Sequence, residues 1–328
     1  MSALFDKKKS REKTIAILDV ENGSVGAALV RVSANDQPKL FAQTRAFLPL
    51  TQSISAGALA AALYTAAREA LVHESDVAAR LRMHVPTASV GEIVQVAIFL
   101  HAPWVSIHVD GPDATATDAP APLLAQFRDL AEESFGEVPV SFHAFGTTAA
   151  PAVHGIFDSA GAALIVSLTG EVTELFLTRD GALIGHATAP VGLHTLLRTL
   201  QSHGGLSRTE ARSALALINA HAVPDISWAE AFESGSSHVL AEVGTAAQAL
   251  VRVASVQDVF VIAPQMNSVW LAKALARDDA LSDLFPDGGT IRDIHAGHLS
   301  PFVAAHASIA DTELMIESLC VDSRFGIY

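Results

Sequence analysis

The chain has 328 residues, half of them hydrophobic and 17% charged, with a formal net charge of −14. There is room for about two domains and a sizeable core, which excludes wholesale disorder. The acidic balance excludes nucleic acid as a partner, because phosphates need a basic footprint. The single cysteine, Cys320, excludes an internal disulfide and a cysteine-rich metal site, and it fits a reducing cytoplasm.

Residues 1–13 carry five basic and two acidic side chains, a net of +3, which leaves −17 for the remainder. With Leu4 and Phe5 beside the lysines, this tail reads either as a solvated start or as a peripheral contact with an anionic membrane face. No apolar run approaches the roughly 18–20 residues of a spanning helix. No long apolar stretch follows the charged start, so no secretion signal is expected.

Residues 14–33 and 36–48 read as strands with a turn at Asn35-Asp36-Gln37-Pro38. Residues 56–72 read as a helix with Leu59, Leu63, Ala66, Ala67 and Leu71 on one stripe. Ile93 to Leu100 is a strand, with Trp104 to Val109 expected as its hairpin partner. The stretch from Gly111 to Pro122 has little to bury and reads as a loop. Leu123 to Phe135 is a helix with Leu123, Leu124, Phe127, Leu130 and Ala131 inward.

A hairpin or meander follows over residues 161–189, turning at Arg179-Asp180-Gly181. Helices are expected over residues 193–203 and 207–220, the second opened by a capping box of Ser207 and Glu210. Residues 228–254 form a long helical region with a break expected near Ser234-Gly-Ser-Ser237. Val256 to Ile262 is a buried strand, and residues 268–284 and 301–310 are the last helices. The order of strands, helix, strands, helix occurs twice, which predicts two similar α/β lobes with a cleft between them.

Two stretches 147 residues apart carry the chemistry. In the first, a strand ends at Asp19 and turns at Asn22-Gly23-Ser24. In the second, Thr169-Gly170 turns a strand back through Thr173 and Glu174. An Asp at a strand end beside a glycine turn can hold magnesium-bound water, while turn amides and a hydroxyl hold phosphate. An ordinary hairpin with a polar tip explains the first stretch equally well.

The segment Leu4-Phe-Asp-Lys-Lys-Lys9, followed by Ile17-Leu-Asp-Val-Glu-Asn-Gly-Ser-Val25, resembles the start of the PilM/FtsA family. The second hairpin resembles that family's second phosphate motif. Arg179-Asp-Gly-Ala-Leu-Ile184, Pro190-Val-Gly192, Leu206-Ser-Arg-Thr-Glu-Ala211 and residues 259–268 fall in the corresponding places. The resemblance covers most of the chain and implies an α/β, actin-like (ribonuclease H-like, duplicated) two-lobed fold. It divides the chain into a basic tail (1–13), lobe one (14–155, with a reduced insertion at about 105–145), lobe two (156–300) and a segment packing back on lobe one (301–328).

The resemblance implies a cofactor site of Asp19, Asn22, Gly23, Ser24, Thr169, Gly170, Thr173, Glu174 and Gly192, for ATP and magnesium. The departures from the motifs argue against it. Glu21 and Glu171 stand where glycines are expected, Gly26 replaces a lysine, and Ser167 and Glu174 replace aspartates. A carboxylate placed where amides should meet phosphate repels it. The helix pattern that would contact ribose becomes Ala211-Arg-Ser-Ala-Leu215, and Ala263-Pro264-Gln265 replaces the adenine-side glycines.

The expectation is therefore a binding protein without catalytic residues. It would be a cytoplasmic scaffold at the inner face of the cell membrane, with type IV pilus assembly as its first setting. The implied partner is the cytoplasmic tail of an inner-membrane protein; self-association is left open. Trp104 reads either as a groove anchor or as a core residue.

Two rivals remain. One is an active ATPase, FtsA-like in one version, with Glu174 activating water and Asp19 holding magnesium-bound water. The other is a sugar-kinase-type transferase, for which no lobe-one base stands out. His295 and His298 have the closest metal spacing, without a cysteine partner, and no metal site is expected. His143, His154, His186 and His194 read as surface or satisfied polar positions.

Overall fold

The computed structural model describes residues 12–34, 36–48, 61, 64–73, 76, 79–80, 92–110, 113–117, 120–159, 161–220, 226–263, 268–277, 290–305 and 311–321. Most of the basic tail, Leu59, Leu63, Pro264 and Gln265 lie outside them.

The first sheet grows from β1 (Lys13–Val20), whose Ile15, Ile17 and Leu18 are buried, as expected of a central strand. It pairs antiparallel with β2 (Ser24–Ser33), and β2 pairs with β3 (Asp36–Phe47). Helical residues 64–73 (α1) bury Ala66, Ala67 and Leu71, the expected stripe. The chain returns as β4 (Ile93–Leu100), parallel to β1 on its other side.

β5 (Ser106–Asp110) pairs with β6 (Asp113–Thr117) as a separate antiparallel ribbon. This corrects two sequence expectations. Residues 104–109 are not the hairpin partner of β4, because both edges of β4 are taken by parallel neighbours. Residues 111–122 are not all loop. α2 (Ala121–Phe135) follows and buries Leu123, Phe127, Leu130 and Ala131. β7 (Val140–Ala144) then joins β4 in parallel and runs directly into α3 (Phe145–Phe157).

The second sheet repeats the plan. β8 (Ala162–Leu168), β9 (Thr173–Arg179) and β10 (Ala182–Ala189) form the meander. α4 (Leu193–Ser202), α5 (Arg208–Asn219) and α6 (Ile226–Val251) follow. Ser207 accepts the Glu210 amide and Glu210 accepts the Ser207 amide, so α5 starts with its capping box.

α6 runs unbroken, contrary to the break expected at 234–237. A Cβ on Gly235 would lie 2.9 Å from Leu196 Cδ1 and 3.1 Å from Thr199 Cβ. That glycine lets α6 approach α4 rather than ending the helix.

β11 (Val256–Ile262) lies parallel to β8, and β12 (Thr290–Asp293) parallel to β11, with α7 (Val269–Leu275) between them. The helix expected over 268–284 thus ends at Leu275, with a turn at 276–277, and residues 278–284 lie outside the described residues. After α8 (Ala296–Leu299), residues 301–305 of the helix expected over 301–310 are instead a turn and the short β13 (Ala304–Ala305), which joins β3; residues 306–310 lie outside the described residues. The final helix is α9 (Thr312–Cys320), packed against α3 and the first sheet.

The orders β3-β2-β1-β4-β7 and β10-β9-β8-β11-β12 are equivalent, with β13 added at one edge. Two cores result. The first takes Ile17, Leu29, Phe99, Phe127 and Phe145, together with Leu314, Ile316 and Leu319 of α9. It also takes Phe176 and Phe260 from the second sheet, so the lobes share apolar contact. The second core takes Leu164, Leu177, Leu196, Val243 and Trp270. Each fully buried side chain of this kind contributes about 1.5–3 kcal/mol.

Candidate functional site

The two predicted turns meet at the junction of the lobes. The β1–β2 turn carries Glu21, Asn22 and Gly23, and the β8–β9 turn carries Thr169, Gly170 and Glu171. A Cβ built on Gly23 would lie 2.4 Å from Gly170 Cα, and one on Gly170 would lie 2.3 Å from Gly23 Cα. No side chain of any kind fits at either position.

Polar groups of each turn satisfy those of the other. Asn22 Nδ2 donates to Thr169 Oγ1 at 2.9 Å and to the Ala102 carbonyl at 2.7 Å. Asn22 Oδ1 accepts the Glu171 amide. Glu21 Oε2 accepts the Gly170 amide at 3.2 Å, and Ser24 Oγ donates to Glu21 Oε1.

Next to the turns, Gly192 caps α4. A Cβ there would lie 2.4 Å from the Gly170 carbonyl oxygen, and the Leu193 and His194 amides donate to the Thr169 and Gly170 carbonyls. On the far side, Arg208 of α5 donates to the Leu48 carbonyl at 3.0 Å, and the Arg212 guanidinium covers the Phe47 ring at 4.8 Å. The helix expected to contact ribose therefore contacts the first lobe.

Behind the turns lies a buried charge network. The Arg45 side chain from β3 is 1% exposed. Its guanidinium reaches Asp19 at 2.6 Å, Glu21 at 3.1 Å, Asp311 at 2.6 Å and Glu313 at 3.3 Å. His101, immediately after β4, is fully buried and stacked on Phe145. Its Nδ1 lies 2.9 Å from Glu174 Oε2, and its Nε2 lies 3.0 Å from Asp19 Oδ1. A second imidazole, His186, stacks on Phe176 and stands 3.5 Å from Glu174.

Ionisation follows from this geometry. Burial pushes Asp19 up, but Arg45 and His101 outweigh it and hold the group at about 2. Glu174 is likewise about 2, because His101 and His186 outweigh burial. His101 would be pushed down by burial, yet Asp19 and Glu174 hold it well above the usual imidazole range. Glu21 is pushed up to about 7 by burial, against the pull of Arg45 and with a push from Asp19. Burial and Asp19 also raise Glu313 and Glu317 well above the carboxylate range.

Glu171 points the other way. It meets His194 Nδ1 at 2.9 Å and both terminal nitrogens of Arg198 at 2.8 and 2.7 Å. Despite burial, these contacts lower it to about 2.

The residues expected to form a site are thus brought together, with one qualification. The Thr173 hydroxyl donates to the Val191 carbonyl within its own lobe. Arg45, His101, His186, Asp311, Glu313 and Glu317 are members that pattern reading missed. Glu313 and Glu317 within the largely apolar terminal helix were the available signal. Trp104 packs partly buried against the first core. Among the described residues, His295 and His298 do not join a group of three metal-ligating side chains.

A polyphosphate does not fit between the turns in this arrangement. The Gly170 and Glu171 amides already donate to Glu21 and Asn22, and the glycine backbones are in contact.

No family model matches the chain, and no curated protein matches it in sequence. Among solved structures it is similar to PilM in a PilM–PilN type IV pilus biogenesis complex. There the identity is 12% over 95% of this chain and 98% of the other, with a TM-score of 0.61. The chain has the actin-like fold. A second likeness is to the ethanolamine utilization protein EutJ from Carboxydothermus hydrogenoformans, at 12% identity over 94% of this chain and 89% of the other, with a TM-score of 0.57. The actin-like likeness bears out the sequence resemblance at the level of the fold. No described helix is long and apolar enough to cross a membrane.

Proposed function

We propose that this chain is an actin-like binding scaffold of the PilM kind, whose lobes are fastened through the cleft by its own side chains rather than by a nucleotide. The observation that carries this reading is the Glu21 carboxylate accepting the Gly170 amide, in the place where a phosphate oxygen would otherwise sit. The Gly23–Gly170 contact and the Arg208–Leu48 bond support it. The proposed partner is the cytoplasmic tail of an inner-membrane protein. Support for that comes from the sequence resemblance and from the fold shared with PilM; the fold shared with EutJ points equally to an actin-like role outside the pilus.

The catalytic alternative has one observation in its favour. Asp19 and Glu174 are ionised carboxylates from opposite lobes, joined through His101. Calorimetry of ATP with magnesium on the purified chain separates the two. The scaffold reading expects no binding heat. Micromolar affinity that disappears in Asp19→Ala would overturn it in favour of a nucleotide-driven machine.

A further inference from the structure

We propose that Asp19, His101 and Glu317 form a buried site for a divalent transition-metal ion, zinc first, which staples α9 to the first sheet. One ligand atom from each lies within 4.8 Å of the other two, and all three residues are 0% exposed. Asp19 ends β1, His101 follows β4, and Glu317 lies on α9, so the three come from separate parts of the chain.

What points to an ion is the state of the donor atoms. Both Glu317 oxygens are buried without a hydrogen-bond partner. His101 Nε2 and Asp19 Oδ1 lie 3.0 Å apart as an ion pair, and Glu317 stands beside that pair with nothing to bind. A buried acid left in this state is costly unless paired or bound to a cation.

The surroundings fit a metal ligand set. His101 places its other nitrogen 2.9 Å from Glu174, the carboxylate–imidazole arrangement that orients a metal-binding histidine. Asp19 is held from its other oxygen by Arg45 at 2.6 Å. Bonds of about 2.0–2.2 Å to zinc put tetrahedral ligands roughly 3.3–3.6 Å apart, so Glu317 would move inward, the His101–Asp19 pair at 3.0 Å would open slightly, and a fourth position would remain beside the three protein ligands. An imidazole donor in an enclosed place favours zinc over magnesium, which keeps several waters. Binding releases the proton from Nε2.

The proposal separates from a purely protonated network. Without a metal, Glu317 behaves as a buried neutral acid, and Glu317→Gln is near-isosteric and leaves stability unchanged or higher. With a metal, the same change removes a ligand.

The test uses tag-free, full-length protein expressed with added zinc, and also protein unfolded and refolded with and without zinc. Elemental analysis is expected to find one zinc or manganese ion per chain in the wild type and in the double variant His295→Ala, His298→Ala. Glu317→Gln and His101→Gln are expected to hold less than about a tenth of that. Refolded wild type is expected to melt several degrees higher with zinc. Because the wild-type measurements stand alone, a variant that fails to fold does not rescue the idea. Metal-free wild type after both treatments, magnesium alone, or metal that survives Glu317→Gln would each overturn it.

Discussion

Arg45 occupies the space that a side chain at Gly26 would take. The two residues face each other across β2 and β3, and a Cβ on Gly26 would lie 2.9 Å from Arg45 Nη2 and 3.1 Å from its Cζ. Position 26 is where the resembling motif carries a lysine, so the cation near Asp19 now comes from the neighbouring strand. Gly26→Ala is expected to shift the guanidinium off its carboxylates and cost about 1–3 kcal/mol. Arg45→Met leaves buried acids without their cation and is expected to cost about 3–5 kcal/mol. Arg45→Lys should not rescue it, since one ammonium cannot reproduce the forked contacts. Urea unfolding of the three variants checks this; wild-type stability in Arg45→Met would remove the network from any account of the fold.

Asn22 is the polar clasp between the lobes. Its side chain donates to Thr169 and Ala102 in buried bonds and accepts the half-buried Glu171 amide. Asn22→Ala orphans the Ala102 carbonyl and the Glu171 amide, at a cost of about 2–3 kcal/mol. Hydrogen exchange at the Glu171 amide is expected to accelerate more than exchange in β8. A double-mutant cycle with Thr169→Val should return a coupling of about 0.5–3 kcal/mol. Zero coupling with unchanged exchange would mean that the turns touch without fastening.

Glu171 gives a pH dependence with a defined sign. Its folded value, about 2, lies below the ordinary 4.5, because His194 and Arg198 outweigh burial. A carboxylate lowered on folding adds stability that is fully present above about 4.5 and is lost as pH falls toward 2. The side chain is 36% exposed, so solvent screening limits the contribution to roughly 1 kcal/mol or less. Glu171→Gln is expected to be the less stable protein at pH 7 and to match wild type near the acid end of that window. A deficit that stays constant with pH would point to lost packing rather than lost charge.

Much of the architecture was legible because alternating and stripe patterns match burial directly. Strand 93–100, the meander over 161–189 and the capped α5 all follow from local sequence. Other elements were hidden by residues whose local preference tertiary packing overrides. α3 contains Gly146 and Pro151, yet it forms; a Cβ on Gly146 would lie 2.2 Å from the Phe176 ring, so the glycine serves the lobe contact. α9 carries Glu313 and Glu317, a residue type almost never fully buried, yet both are. The turns of the site could be read from Asp19 and the glycines. Arg45, His101 and Asp311 could not, because long-range pairing alone brings them there: Arg45 and Asp311 are 266 positions apart.

Gly235 offers a test of packing against propensity. Within a helix, Gly→Ala is ordinarily stabilising by about 1 kcal/mol. Here the added Cβ would meet Leu196 Cδ1 at 2.9 Å and Thr199 Cβ at 3.1 Å. The leucine methyl can turn away, but Thr199 Cβ is fixed to the α4 backbone and is held by its hydroxyl donating to the Thr195 carbonyl at 3.0 Å. Overpacking of about 1–3 kcal/mol should therefore outweigh the propensity gain and leave Gly235→Ala less stable by about 1 kcal/mol. Gly235→Val adds bulk at the same contact, and is expected to lose more. If Gly235→Ala raises the urea midpoint instead, α4 and α6 can separate freely, and the glycine is not there for close approach.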